Sequence, residues 1–259
     1  IRNNYKPFHN KLVEALEKAF TVIYDEKDNF IGCGAFIEYP YEDHVLRLLI
    51  TAEHVLSDLK IVGNKIKLPI NYFLKQNERW PDEAMCASLI LDENNHITDR
   101  EFDIGVVQGF TDLDREGYAY YKIKTIYNDQ DLTGLDVLIM GINANRIEKA
   151  ERKNREVGTG EILVNGFQMP TKVDKVDSPY FYINYPSTIF ITKPDNFDTV
   201  LEAQSPSPKG LSGSVVWDYS QGDLYKPVGV IIERAGEYIK CIGFNKISSV
   251  ILESIKRNV

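Results

Sequence analysis

Leu48-Leu49-Ile50-Thr51-Ala52-Glu53-His54-Val55 is an apolar run that ends in a Thr-Ala step and then presents a histidine. A short run of apolar and β-branched residues closed by a turn reads as a strand, here Val45–Thr51. The same pattern recurs on both sides. Upstream lie Thr21–Tyr24 and Phe30–Ile37; downstream come Lys60–Lys67, Ala87–Leu91 and Ile104–Val107. A second set follows at Leu135–Met140, Gly160–Val164, Tyr180–Ile183, Ile189–Thr192, Ser214–Trp217, Pro227–Ile232 and Tyr238–Gly243. Many short strands without long helices between them predict an all-β fold of barrels or sandwiches.

The two ends differ. Leu12, Val13, Leu16 and Phe20 repeat at helical spacing, as do Ile247, Val250, Ile251 and Ile255. These spacings predict a helix at each end. The expected organisation is an N-terminal helical segment over 1–20, a first β unit over 21–110, and a polar connection over 111–134. A second β unit over 135–245 and a C-terminal helix over 246–259 complete it.

Composition bounds the function. The chain has 259 residues, 43% of them hydrophobic and 26% charged, which supports a sizeable core. The net charge of −8 disfavours general nucleic-acid binding, which selects basic surfaces. No apolar run approaches membrane-spanning length, so no membrane partner is expected. Cys33, Cys86 and Cys241 form no CxxC pair, and with four histidines in the chain no metal site is expected. Each cysteine lies in an apolar run and reads as a small buried hydrophobe in a reducing, cytoplasmic setting. Ile1-Arg2-Asn3-Asn4 is polar, with no apolar leader behind it; the lack of an initial Met is expected of a processed chain. Arg146–Arg155 is basic, but Glu148 and Glu151 offset it, so it reads as a solvated mixed-charge face rather than a contact patch.

Three segments carry chemistry. The first ends at His54. In the second, Phe102-Asp103-Ile104-Gly105-Val106-Val107, an aspartate opens an apolar strand. In the third, Pro208-Lys209-Gly210-Leu211-Ser212-Gly213-Ser214-Val215-Val216, a serine sits in a glycine-flanked turn before a strand. A serine hydroxyl needs a positioned base, imidazole serves as base and then acid, and a carboxylate fixes its tautomer. Each segment alone has a bland structural reading. Their order, His then Asp then Ser on an all-β chain, matches one of the known triad orders and excludes an α/β-hydrolase, which runs Ser, Asp, His.

With these motifs the chain resembles the trypsin-like (chymotrypsin-fold) serine proteases of the disulfide-poor bacterial kind. Cys33-Gly34-Ala35-Phe36-Ile37, Thr51-Ala52-Glu53-His54, Asp103-Ile104-Gly105-Val106 and Gly210-Leu211-Ser212-Gly213-Ser214 match the family's motifs. Val228-Gly229-Val230-Ile231 and Ile242-Gly243-Phe244 resemble its last two strands. The resemblance implies two six-stranded antiparallel barrels with the active site in the cleft between them. It implies Ser212 as nucleophile, His54 as general base and acid, and Asp103 as the orienting carboxylate. The Gly210 and Ser212 amides would form the oxyanion hole, with no cofactor or metal.

Three departures matter. Leu211 stands where digestive members carry an aspartate that pairs with a cut N-terminus, so activation of that kind is not expected. Val55 replaces a cysteine, leaving Cys33 without that bridge partner. Pro206 lies where an acidic pocket base would sit, so cleavage after Lys or Arg is not expected. Pro206, Ile232, Glu233, Arg234 and Gly243 are the candidate pocket residues, with Glu233 and Arg234 read as a rim salt bridge. The leading expectation is a serine endopeptidase acting on protein or peptide substrates, restrained by a regulatory partner or second domain. A pseudoprotease binding module on the same fold is the alternative, and a hydrolase of non-peptide esters a third reading.

Overall fold

A computed structural model describes residues 11–27, 29–62, 65–68, 87–92, 94–110, 113, 118–124, 131–142, 166–185, 188–193, 196–204, 208, 210–220 and 226–257. The first unit begins with α1 (Lys11–Ala19) and continues through β1 (Phe20–Tyr24), β2 (Phe30–Tyr41) and β3 (His44–Ala52). Then come α2 (Glu53–Val62), β4 (Lys65–Leu68), β5 (Ala87–Ile90), β6 (His96–Asp99), β7 (Ile104–Val107) and the short β8 (Tyr121–Lys122). The second unit holds β9 (Asp136–Ile142), β10 (Gly166–Asp177), β11 (Tyr180–Asn184), β12 (Thr188–Lys193) and β13 (Asn196–Gln204). It ends with β14 (Val215–Asp218), β15 (Lys226–Ala235), β16 (Tyr238–Gly243) and the C-terminal helix α3 (Phe244–Arg257).

The first sheet runs β5-β4-β1-β2-β3-β7-β6, with β8 added parallel to β2. It curls into a half-barrel. The second sheet runs β11-β16-β15-β14-β9-β10 and closes, because β10 also pairs with β11. That ring is a six-stranded antiparallel barrel, and the β12–β13 hairpin extends from its β10 member. The chain is therefore all-β, a closed six-stranded barrel and a curled half-barrel sheet, with a C-terminal helix.

The continuous apolar runs follow from where the faces point. Successive strand side chains alternate between faces. In β9, Val137 and Ile139 enter the interior of the second barrel, while Leu138 and Met140 enter a core shared with the first sheet. In β3, Leu49 points into the first unit, and Leu48 and Ile50 into the shared core. Both faces are buried, so neither tolerates polar residues. Each fully buried Leu, Ile or Phe contributes about 1.5–3 kcal/mol. Phe36 anchors the first interior, with edge-on contacts to Phe110, Tyr118 and Tyr120. Cys33 and Cys241 are buried thiols; Cys86 lies outside the described residues.

One expected strand is corrected. Lys60–Lys67 reads as a strand, yet its start belongs to α2 and, among the described residues, the strand is Lys65–Leu68, paired with β1 and β5. Val55, Leu56 and Leu59 fall on one helical face and are buried, which sets the helix. The expected strand Gly160–Val164, the basic segment Arg146–Arg155 and Pro206 lie outside the described residues. No described helix is long and apolar enough to cross a membrane.

Candidate active site

Strand pairing brings the first two residues together. β3 and β7 align Ala52 with Ile104, so the residues just beyond them, His54 and Asp103, become neighbours. His54 sits in the first turn of α2, where helix amides lack internal acceptors. Ala52, before the helix, has no side chain to cap them. Asp103 caps them from the neighbouring strand. Its backbone oxygen accepts from Glu53 N–H at 3.1 Å, and its Oδ1 accepts from His54 N–H at 2.9 Å. Its Oδ2 lies 2.8 Å from His54 Nδ1. Asp103 holds this position with φ +56°, in the left-handed region that Asp tolerates better than most residues.

An Asp103 carboxylate on Nδ1 places the ring proton there and leaves Nε2 as a base. His54 is part-exposed, and its pKa is raised above 6.5. The Asp103 hydrogen bond is the main cause, partial burial opposes it, and the charges of Asp103, Asp58 and Glu53 add to the rise. Glu53 is largely buried, accepts from Ser57 Oγ and pairs with Arg100 at 3.4 Å. It shapes the field on His54 from within the same helical turn, a role its place beside the histidine in sequence does not reveal.

Ser212 comes from the second unit, in the loop before β14. Gly210 and Gly213 flank it at φ +92° and +86°. Leu211 N–H donates to Pro208 O at 3.1 Å, Gly213 N–H to Ile231 O at 2.8 Å, and Ser214 N–H to Leu211 O at 2.9 Å. Among the described residues, Gly210 N–H and Ser212 N–H donate to nothing. These are the two amides that the resemblance implied for the oxyanion hole. Leu211 is buried in the interior of the second barrel and packs as core.

The loop lies on the first sheet. Ser212 O accepts from Cys33 N–H at 2.8 Å. A Cβ on Gly32 would meet both the Val55 side chain and Ser212 O, which puts the residue after His54 and the Ser212 loop against one point of β2. A Cβ on Gly213 would collide with Cys33 O and Thr51 Oγ1. His54, Asp103 and the Ser212 loop thus share the junction of the two sheets. No hydrogen bond joins Ser212 Oγ to the imidazole among the described residues. Thr51 and Cys33 support the loop; the sequence signalled them only as parts of motifs.

Of the pocket candidates, Ile232 is buried at a register shift of β15, and Gly243 pairs with Gly229 while donating to Pro179 O at 2.8 Å. Glu233 forms its ion pair with Lys240, at 2.8 Å. Arg234 Nε donates to Gly236 O at 2.9 Å. The rim ion pair therefore forms across β15 and β16 rather than between Glu233 and Arg234.

No protein-family model matches the chain, and no curated protein matches it. Among solved structures it is similar to the human pathogenic astrovirus serine protease. That similarity covers 88% of this chain and 90% of the other, at 13% identity and a TM-score of 0.46.

Proposed function

We propose that the chain is a serine endopeptidase working through His54, Asp103 and Ser212. The observation that carries this reading is the Asp103 carboxylate bonded to both the backbone and Nδ1 of His54, at the junction where the glycine-flanked Ser212 loop rests. In this mechanism Ser212 Oγ attacks the scissile carbonyl carbon and His54 Nε2 takes its proton. The carbonyl oxygen becomes an oxyanion held by Gly210 and Ser212 N–H, each donor contributing about 3 kcal/mol. The C–N bond breaks, the amine leaves with the proton from His54, and Ser212 keeps the acyl group. Water, deprotonated by His54, releases the acid and restores Ser212. Asp103 holds the imidazolium throughout without taking its proton.

The test is reaction with a fluorophosphonate, mapped by peptide mass, with Ser212→Ala as control. One adduct, at Ser212, supports the reading, and a peptide-versus-ester panel then separates endopeptidase from esterase. A folded protein that takes no label overturns it. The pseudoprotease reading would then lead. The missing Ser212–imidazole hydrogen bond favours that alternative, although such bonds often tighten only with substrate bound.

Restraint by a partner or second domain belongs to the same proposal. Its candidate contact sites are α1 (Lys11–Ala19) and the 111–131 and 146–155 segments. The isolated chain then turns over slowly. Fast turnover by a purified monomer would overturn this part.

A further inference from the structure

The Gly210 and Ser212 amides must converge on one oxygen, and Gly210 is the residue with the most backbone freedom to spoil that. Its carbonyl is held from outside the loop. Cys33, fully buried in β2, places its Sγ 3.1 Å from Gly210 O and donates its N–H to Ser212 O at 2.8 Å. Its own carbonyl accepts from Thr51 Oγ1 at 2.7 Å. One residue therefore grips the loop on both sides of Leu211 and is itself anchored by the strand that leads to His54.

We propose that Cys33 is a positioning residue for the oxyanion donors. This rests on the reading of Ser212 as nucleophile. The thiol S–H donates to Gly210 O and fixes the oxygen side of the Gly210–Leu211 peptide. The nitrogen side of the same peptide is fixed by Leu211 N–H on Pro208 O. With both sides tied, the plane cannot rotate, and the amides that flank it keep their directions. The thiol is fully buried and acts only through the loop. Without this donor the plane keeps one tie. The loop stays near its place, but the amides lose their common aim, and small misplacements of such groups slow chemistry steeply.

The experiment compares wild type with Cys33→Ala, Cys33→Val and Cys33→Ser. Val fills the space without a donor and serves if the void left by Ala unfolds the chain. Ser restores a donor. The first measurement is hydrogen exchange at the Leu211 amide, which needs no catalysis. The second is the rate constant for fluorophosphonate labelling of Ser212. The donorless variants should exchange Leu211 several-fold faster and label about tenfold to a hundredfold slower. Cys33→Ser should stay near wild type in both. Donorless variants that match wild type in either measurement overturn the proposal. So does a Ser variant that fails alongside them, because packing of the sulfur would then be the cause. If wild type takes no label, the reading of Ser212 falls, while exchange still decides whether the thiol holds the loop.

Discussion

Asp103 keeps φ at +56° while one carboxylate serves two neighbours, a helix amide and an imidazole. Replacing it with Asn keeps the shape but can present an N–H to Nδ1, which favours the wrong tautomer. Asp103→Asn should therefore lower the rate by about 10⁴ with the fold intact. The pH profile reports the same bond. In the proposed mechanism neutral His54 is the reactive form, and its pKa lies above 6.5 chiefly through the Asp103 hydrogen bond. The acid limb of the labelling rate should then have its midpoint above 6.5 in wild type and lower in Asp103→Asn. The stability linked to His54 has the matching sign: it is full below 6.5 and lost as pH rises through the raised value. A midpoint that does not move between the two proteins would show that Asp103 is not the cause. A second residue tests the loop's surroundings. Ser214 Oγ is fully buried with no hydrogen-bond partner among the described residues. Ser214→Ala should be neutral or should raise stability by up to about 2 kcal/mol in urea unfolding. At this scale the sequence was legible where it grouped His54 with Asp103, which meet at 2.8 Å. The grip of Cys33 on Gly210 was not, because 177 residues separate them.

Elements were legible where their apolar pattern was one-sided or continuous. The C-terminal helix was expected over 246–259 and begins two residues earlier, at Phe244. α2 was missed because its start is capped by Asp103, 49 residues away, rather than by a local Ser, Thr or Asn. β10 was missed because its outer face carries Lys172, Asp174, Lys175 and Asp177 and its ladder includes Pro170. Among the described side chains of that strand only Met169 and Val173 are fully buried, and they face the barrel interior. The loop before β14 has its own requirement. Gly213 combines a φ of +86° with no room for a Cβ between Cys33 O and Thr51 Oγ1. Gly213→Ala should cost about 3 kcal/mol or more and abolish labelling. Thermal melting beside the wild type checks the first part; an unchanged melting temperature would mean that the loop is not seated on β2.

Across the whole molecule, the site belongs to neither sheet alone. Ser212 comes from the second unit but rests on β2, and His54 and Asp103 come from the first. What joins the units is a shared core that includes Leu48, Ile50 and Val106 from one sheet and Leu138, Trp217 and Val230 from the other. Sequence patterning reveals that a strand is buried on both faces; it does not say which unit each face meets, because that depends on how the sheets stack. Trp217 is the largest side chain at this junction, with its ring 4.9 Å from that of Tyr121. A core held in common couples the two units, so neither should unfold first. Tryptophan fluorescence and far-UV circular dichroism should then give coincident urea transitions. Ile50→Ala, which empties part of the same core but keeps the Trp217 reporter, should shift both together, costing about 2–5 kcal/mol. If the mutation instead split the transition in two, with one sheet surviving to higher urea, the units would be independent. The proposed catalytic geometry would then depend on docking as a separate step, and labelling of Ser212 would be lost at the first transition, while the second sheet was still folded.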